Sequence, residues 1–281
     1  MIVEGIVAEL SSLQRRARTF SALGDPMRLA IVDHLTLADA APGDLGRALG
    51  ISTNLLAHHL RVLEEAAVIR RVRSEGDQRR SYVRLRLDDP IVEALGRGEG
   101  ETIGIKAEAG LGPCDLASAS RVVFVCTHNS ARSQLAAAAW KELSATPTAS
   151  AGTHPASRVH PRAVTVGRRH GLRLSGASPA HTGEVLRKND LVVAVCDKAH
   201  EQLGARGELD EEDADGARSR LHWSVPDPVR IDTDAAFEAA YQDVAVRVDR
   251  LAHAMTGDAA RPRRGTSSRI PPKATNTRRT P

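Results

Sequence analysis

The chain has 281 residues, of which 41% are hydrophobic, 26% charged and only 2% aromatic. That exceeds the ~100–200 residues of a usual domain and predicts two, with cores resting on Ala, Leu and Val. No apolar run approaches the ~18–20 residues of a membrane span, and the first residues mix acids and bases around short apolar stretches, unlike a signal peptide. Three cysteines, an odd number, argue against a disulfide framework and for a reducing cytoplasm. The formal net charge of +4 is unevenly spread: residues 257–281 hold seven basic side chains against Asp258, a net +6, so the other 256 residues sum to −2. Rich in proline and almost free of apolar residues, 257–281 reads as a disordered basic tail.

Residues 1–98 form the first predicted domain. FSALGDPMRLAIVDHL (20–35) places Leu23, Met27, Ala30, Ile31 and Leu35 at helical spacing, with Asp25-Pro26 as cap and first turn. A short helix, GDLGRALG (43–50), stops at Gly50. The next, capped by Ser52 or Thr53, carries Leu55, Leu56, His59, Leu60 and Leu63 on one face. Helix, tight turn and helix make a helix-turn-helix. Ser52, Thr53, Asn54, His58 and Arg61 of the second helix are free to meet base edges or phosphates.

RRVRSEGDQRRSYVRLRL (70–87) alternates on either side of Glu75-Gly76-Asp77 and reads as a β-hairpin. Residues 70–86 hold seven arginines against two acids, a net +5, so the hairpin can lie along a phosphate backbone through Arg73, Arg79 and Arg80.

The run Leu23-Gly24-Asp25-Pro26-x-Arg28-Leu29, then His58-His59-Leu60-x-x-Leu63, then Tyr82 in the hairpin, resembles the ArsR family of winged-helix repressors. The resemblance covers about residues 18–90 and implies binding to double-stranded DNA as a homodimer through this domain. Many such repressors sense metals, but ADAAPGDLG here lacks the Cys-x-Cys sensor and DDPIVEALGRG lacks a His ligand set. No metal site is expected, and none at His58 and His59.

Residues 99–120, rich in Gly and Ala without steady periodicity, read as a linker. From 121 to 256, continuous β-branched runs, VVFVC (122–126) and DLVVAVC (190–196), are each followed by a helical pattern, QLAAAAWKEL (134–143) and KAHEQL (198–203). That alternation predicts an α/β domain with a central parallel sheet. The fold class is therefore two domains: a mainly α winged helix-turn-helix, then the α/β domain.

The sharpest motif is VVFVCTHNSARSQ (122–134). A buried strand ends at Cys126, and a loop of Thr127, His128, Asn129, Ser130, Ala131 and Arg132 leads into a helix near Ser133. A C-x5-R spacing turns successive amides inward into an anion nest, the helix start adds its dipole, and Arg132 supplies a planar bidentate donor. A tetrahedral oxyanion, arsenate or its analogue phosphate, fits that cradle. The same field favours the nucleophilic thiolate of Cys126. Ser133 can donate to the sulfur, Asn129 can hold the loop through its amide, and Asp227, before Pro228, can protonate a leaving oxygen.

With these pieces, residues 121–256 resemble the low-molecular-weight protein tyrosine phosphatases, and within them the arsenate reductase branch. Gln134 replaces the proline, and Ala131 the second cysteine, that tyrosine phosphatases tend to carry; no tyrosine follows Asp227-Pro228. Ser150-Ala151-Gly152-Thr153 and Asp190 to Asp197, with a second cysteine at Cys196, also look like the reductase branch.

The resemblance implies attack of Cys126 on arsenate, protonation by Asp227, and a second thiol, Cys196, that forms a disulfide as arsenite leaves. Leu203 stands where thioredoxin-coupled relatives carry a third cysteine. No bound cofactor is expected, and regeneration falls to an external thiol reductant (a mycothiol-like small thiol or a redox protein) or to Cys114. The acidic run 208–215 reads as a solvated loop. The expected protein is cytoplasmic and not membrane-bound, a DNA-binding regulator fused to an arsenate reductase for arsenic resistance. The rivals are a tyrosine phosphatase fused to a DNA-binding module and an oxyanion-sensing regulator without turnover.

Overall fold

The computed structural model describes residues 2–95, 116, 119–174, 176–205 and 220–256. Cys114, the acidic run 208–215, the tail 257–281 and most of the expected linker lie outside the described residues. Two hydrophobic cores are present, one in each predicted domain.

The first is built by α1 (Ile2–Leu23), α2 (Pro26–Leu35), α3 (Pro42–Ala48), α4 (Thr53–Glu65), the antiparallel hairpin β1 (Ile69–Arg73) and β2 (Ser81–Leu85), and α5 (Pro90–Leu95). Local chemistry sets the starts. Asp25 accepts from the Arg28 amide at 3.0 Å with Pro26 in the first turn, and Ser52 accepts from the Leu55 amide at 3.4 Å. Gly50, at φ +62°, supplies the left-handed turn between α3 and α4 that a side chain would strain. Leu56, His59, Leu60 and Leu63 are buried, but Leu55, expected beside them, is 45% exposed. It lies one residue, about 100° of helical rotation, from the apolar stripe.

The second core is an α/β layer. The sheet is wholly parallel, in the order β4-β3-β5-β6, with β3 (Arg121–Cys126) and β5 (Asp190–Ala194) central and β4 (Thr148–Gly152) and β6 (Arg220–His222) at the edges. Every residue of β5, and of β3 after Arg121, is buried, because α6 (Arg132–Leu143) and α9 (Asp197–Ala205) pack against these strands. α7 (Pro161–Arg169) and α11 (Asp234–Thr256) pack on α6, whose Ala136–Ala139 run permits close approach, while α8 (Thr182–Val185) meets β4 and α10 (Pro228–Ile231) meets α11. The sequence patterns do not single out α1 or α11. No described helix is long and apolar enough to cross a membrane.

The cores are joined by a buried polar interface. Asp39 accepts both Arg247 Nη groups at 3.1 Å and the Ser224 amide at 2.7 Å, and Arg247 Nε reaches Asp243 at 2.8 Å. Trp223 Nε1 donates to the Leu37 carbonyl at 2.8 Å. Arg84, one of the seven arginines of the hairpin, is only 2% exposed and donates to Ser224 O and Asp243. The second domain covers the face of β2 that carries Tyr82 and Arg84, opposite Val83 and Leu85 of the first core.

Candidate active site

Each candidate catalytic group follows the C-terminal end of a strand, where ligand crevices of parallel sheets form. Cys126 ends β3, Cys196 lies two residues beyond β5, and Asp227 follows β6. The Val195 amide donates to Val125 O at 2.7 Å, which brings the two cysteines to neighbouring strand ends. Both are free and buried.

The loop after Cys126 is shaped by its carbonyls. Those of Cys126, Thr127, His128 and Ser130 accept from Thr153, His154, Ala156 and His160 amides at 2.8–3.2 Å. Holding the carbonyls outward leaves amide edges for the interior, and the Asn129 amide donates to Cys126 Sγ at 3.2 Å. Asn129 takes φ 49°, a left-handed conformation its short polar side chain tolerates. The Ala180 amide donates to its Oδ1 at 3.0 Å, orienting Nδ2 to donate to Ser133 Oγ at 2.8 Å. The Ser133 proton is then free for Cys126 Sγ, 3.1 Å away. His128 turns its exposed ring to the His154 carbonyl at 3.1 Å and contributes backbone only.

Arg132, buried at the helix start, donates through Nη1 to Val225 O at 2.9 Å and places Nη2 3.2 Å from Asp227 Oδ2. Burial works against its charge, but the Cys196 and Cys126 sulfurs and the Asp227 and Glu75 carboxylates outweigh that and hold the guanidinium above its ordinary range. Asp227 also caps α10, its Oδ1 accepting the Val229 amide at 3.1 Å. Burial pushes the Cys196 thiol up, Arg132 pulls it back, and the Cys126 sulfur adds to the rise. Thr127 Oγ1 lies 3.5 Å from Cys196 Sγ, and the Ala199 amide donates to it at 3.4 Å. The structure thus brings together Cys126, Arg132, Ser133, Asp227 and Cys196.

Three contributors have no such role in the sequence reading. Gln134 Nε2 braces Asn129 O and Oδ1, both at 3.1 Å. Gly152 lets β4 approach the loop, since a Cβ there would stand 2.9 Å from Thr127 O. The third, Glu75, comes from the other domain: its carboxylate accepts from the Asp227 amide at 3.0 and 3.2 Å and lies 3.4 Å from Arg132 Nη1. Only tertiary packing places a hairpin tip there; no local pattern signals it.

Residues 121–261, half of the chain, match the family described as low molecular weight phosphotyrosine protein phosphatase. The chain belongs to that family. This phosphatase-family chain also matches a helix-turn-helix domain at residues 23–72. Over 50 residues it is 40% identical to the transcriptional repressor SdpR of Bacillus subtilis, covering 18% of this chain and 56% of that protein. The chain spans about half the length of the curated relatives it matches. Among solved structures, it is 24% identical to an arsenate reductase from Archaeoglobus fulgidus (TM-score 0.36, 47% of this chain and 98% of that one). It is also 24% identical to the tyrosine phosphatase Wzb from Escherichia coli K30 (TM-score 0.40, 48% and 98%).

On the helix-turn-helix, Ser52, Thr53, Asn54, His58 and Arg61 share the exposed side of α4, while Arg73, Arg79 and Arg80 are exposed on the hairpin. Arg61 is held on its own helix by Glu65 at 3.2 Å and His58 Nδ1 at 3.4 Å. Among the described residues, no group of three or more His, Cys, Asp or Glu side chains is arranged to hold a metal ion.

Proposed function

We propose that this chain joins a DNA-binding regulator to a thiol-dependent arsenate reductase serving arsenic resistance. One observation carries the reductase reading: a second buried thiol, Cys196, at the strand end beside that of Cys126 and 3.5 Å from Thr127 Oγ1 of the same loop, which phosphoester hydrolysis does not require. In the first step the Cys126 thiolate bonds to arsenic, Asp227 protonates the departing oxygen as water, and Arg132 with the loop amides holds the remaining oxygens. Arsenic is still pentavalent in that adduct. Cys196 then attacks the Cys126 sulfur, its thiol proton passing to the departing arsenite oxygen; the S–S bond forms, the S–As bond breaks, and its electron pair leaves with trivalent arsenite. Two thiols are oxidised for one arsenate reduced, so an external thiol (a mycothiol-like small thiol or a redox protein) must reopen the disulfide. Leu203 is buried in the core and offers no third sulfur.

Cys196→Ser should abolish multiple turnover yet allow one round of adduct formation on Cys126. Arsenite release from arsenate, with cell-extract thiols as reductant and Cys126→Ser as control, checks it; unchanged turnover would remove Cys196 from the route. Phosphatase chemistry would need only Cys126, Arg132 and Asp227, so the same preparations are assayed on p-nitrophenyl phosphate. Strong hydrolysis without arsenite would make the protein a phosphatase and Cys196 a packing residue.

For DNA, the exposed face of α4 suits a major groove and the exposed arginines suit phosphates. Solvent-exposed Leu13 and Phe20 on α1 support a homodimer through this domain. Replacing Arg79 and Arg80 together with Ala should weaken binding to double-stranded DNA and reduce the salt slope by roughly 0.9 for each phosphate no longer neutralised. An unaltered slope in a salt titration would take the hairpin off the DNA.

A further inference from the structure

The tip of the hairpin, residues 74–77, is seated on the active-site rim by a built set of hydrogen bonds. Ser74 Oγ donates to Glu201 at 2.6 Å, the Glu75 amide to Asp197 at 2.9 Å and the Asp77 amide to Glu201 at 2.8 Å. A side chain at Gly76 would displace the Glu201 carboxylate that holds the tip, because a Cβ would stand 2.2 Å from Glu201 Oε2 and 3.1 Å from Lys198 Cα. This seat aims the Glu75 carboxylate at three donors: the Asp227 amide at 3.0 Å, Arg132 Nη1 at 3.4 Å and Arg230 Nη2 at 3.6 Å. The Arg132 fork is otherwise engaged by Val225 O and Asp227. A carboxylate therefore already sits against the guanidinium that the anion loop would offer to a ligand.

We propose that the hairpin tip is an internal ligand of the anion cradle: Glu75 holds Arg132 in place of a tetrahedral oxyanion, so that arsenate or phosphate and the seated tip exclude one another. The proposal rests on the oxyanion-binding reading of the Cys126 loop. A multiply charged anion entering beside Glu75 would meet a carboxylate across a partly buried site, where like charges are poorly screened. Exclusion is reciprocal: whatever oxyanion binding costs the tip, tip seating costs the oxyanion. Arg73, Arg79 and Arg80 flank the tip and are exposed, so occupancy of the catalytic loop is passed to the DNA-facing edge of the first domain.

Inorganic phosphate is titrated calorimetrically into the full-length protein and its Glu75→Ala and Gly76→Val variants. Amide hydrogen exchange of residues 74–77 is followed with and without phosphate. Glu75→Ala removes the competing charge; Gly76→Val keeps it but unseats the tip, so the two act by different routes. Each should bind phosphate about tenfold more tightly than the parent. In the parent, phosphate should speed exchange at the Glu75 and Asp77 amides. Equal affinity in all three proteins with unchanged exchange would overturn the proposal and leave the oxyanion reading standing. No phosphate binding by any of them would overturn that reading, and the proposal with it.

Discussion

Arg132→Lys should lower the rate of arsenite formation, or of p-nitrophenyl phosphate hydrolysis if that proves the activity, by about 10²–10³-fold. The substitution keeps a positive charge but not the planar fork. Arg132 uses both arms at once, Nη1 on Val225 O at 2.9 Å and Nη2 toward Asp227 at 3.2 Å. A single ammonium cannot hold the Val225 carbonyl and also present two parallel donors to an oxyanion. The neighbouring carboxylate of Asp227 would then face the bound anion with weaker compensation. Steady-state kinetics check it, with the loss falling in kcat/KM. A fall below about tenfold would mean that the loop amides carry the oxyanion and Arg132 only braces the loop.

Arg247→Met should destabilise the protein by about 3–5 kcal/mol, the usual cost of removing one partner from a buried ion pair. Arg247 is 4% exposed and bridges Asp39 of the first domain to Asp243 of the second. Without it, two buried carboxylates remain, one of them also holding the Ser224 amide. Calorimetry should show the melting temperature fall by roughly ten degrees; a loss under about 1 kcal/mol would mean that apolar packing alone joins the domains.

The pH dependence has a definite sign. Burial works to raise the Asp243 carboxyl, but Arg247 and Arg84 outweigh it and hold it down at about 2, against an ordinary value of 3.8. A depressed carboxylate stabilises the fold fully above its unfolded value. Its contribution, on the order of 2 kcal/mol, is lost as pH falls from about 4 to about 2. In Arg247→Met most of that acid-dependent component should vanish, flattening the stability curve over the same window.

Much of the fold was legible because its signals are local. Asp25 and Ser52 each act on an amide three residues away, Gly50 on its own backbone, and the β-branched runs 122–126 and 190–196 reflect burial on both faces of one sheet. The anion loop was legible for the same reason: Cys126, Arg132 and Ser133 are fixed by a single strand-loop-helix turn, and Asn129 supplies the left-handed residue within it. Leu55 was misplaced because two adjacent leucines cannot both lie on a narrow stripe. The burial of Arg84 was not legible, because the partners that bury it, Ser224 and Asp243, lie 140 or more residues away.

By itself, then, the sequence determined the two fold types and the strand-loop-helix turn that carries Cys126, Arg132 and Ser133, since each depends on neighbours a few residues apart. Only the tertiary structure decided that Cys196 lies against Thr127 of the Cys126 loop, that Asp39, Arg247 and Asp243 bind the two cores together, and that Glu75 reaches Arg132. Those interactions join residues separated by tens to hundreds of positions. Their energy comes from desolvated charges meeting at hydrogen-bond distance, a property of packing that no local pattern of residues encodes.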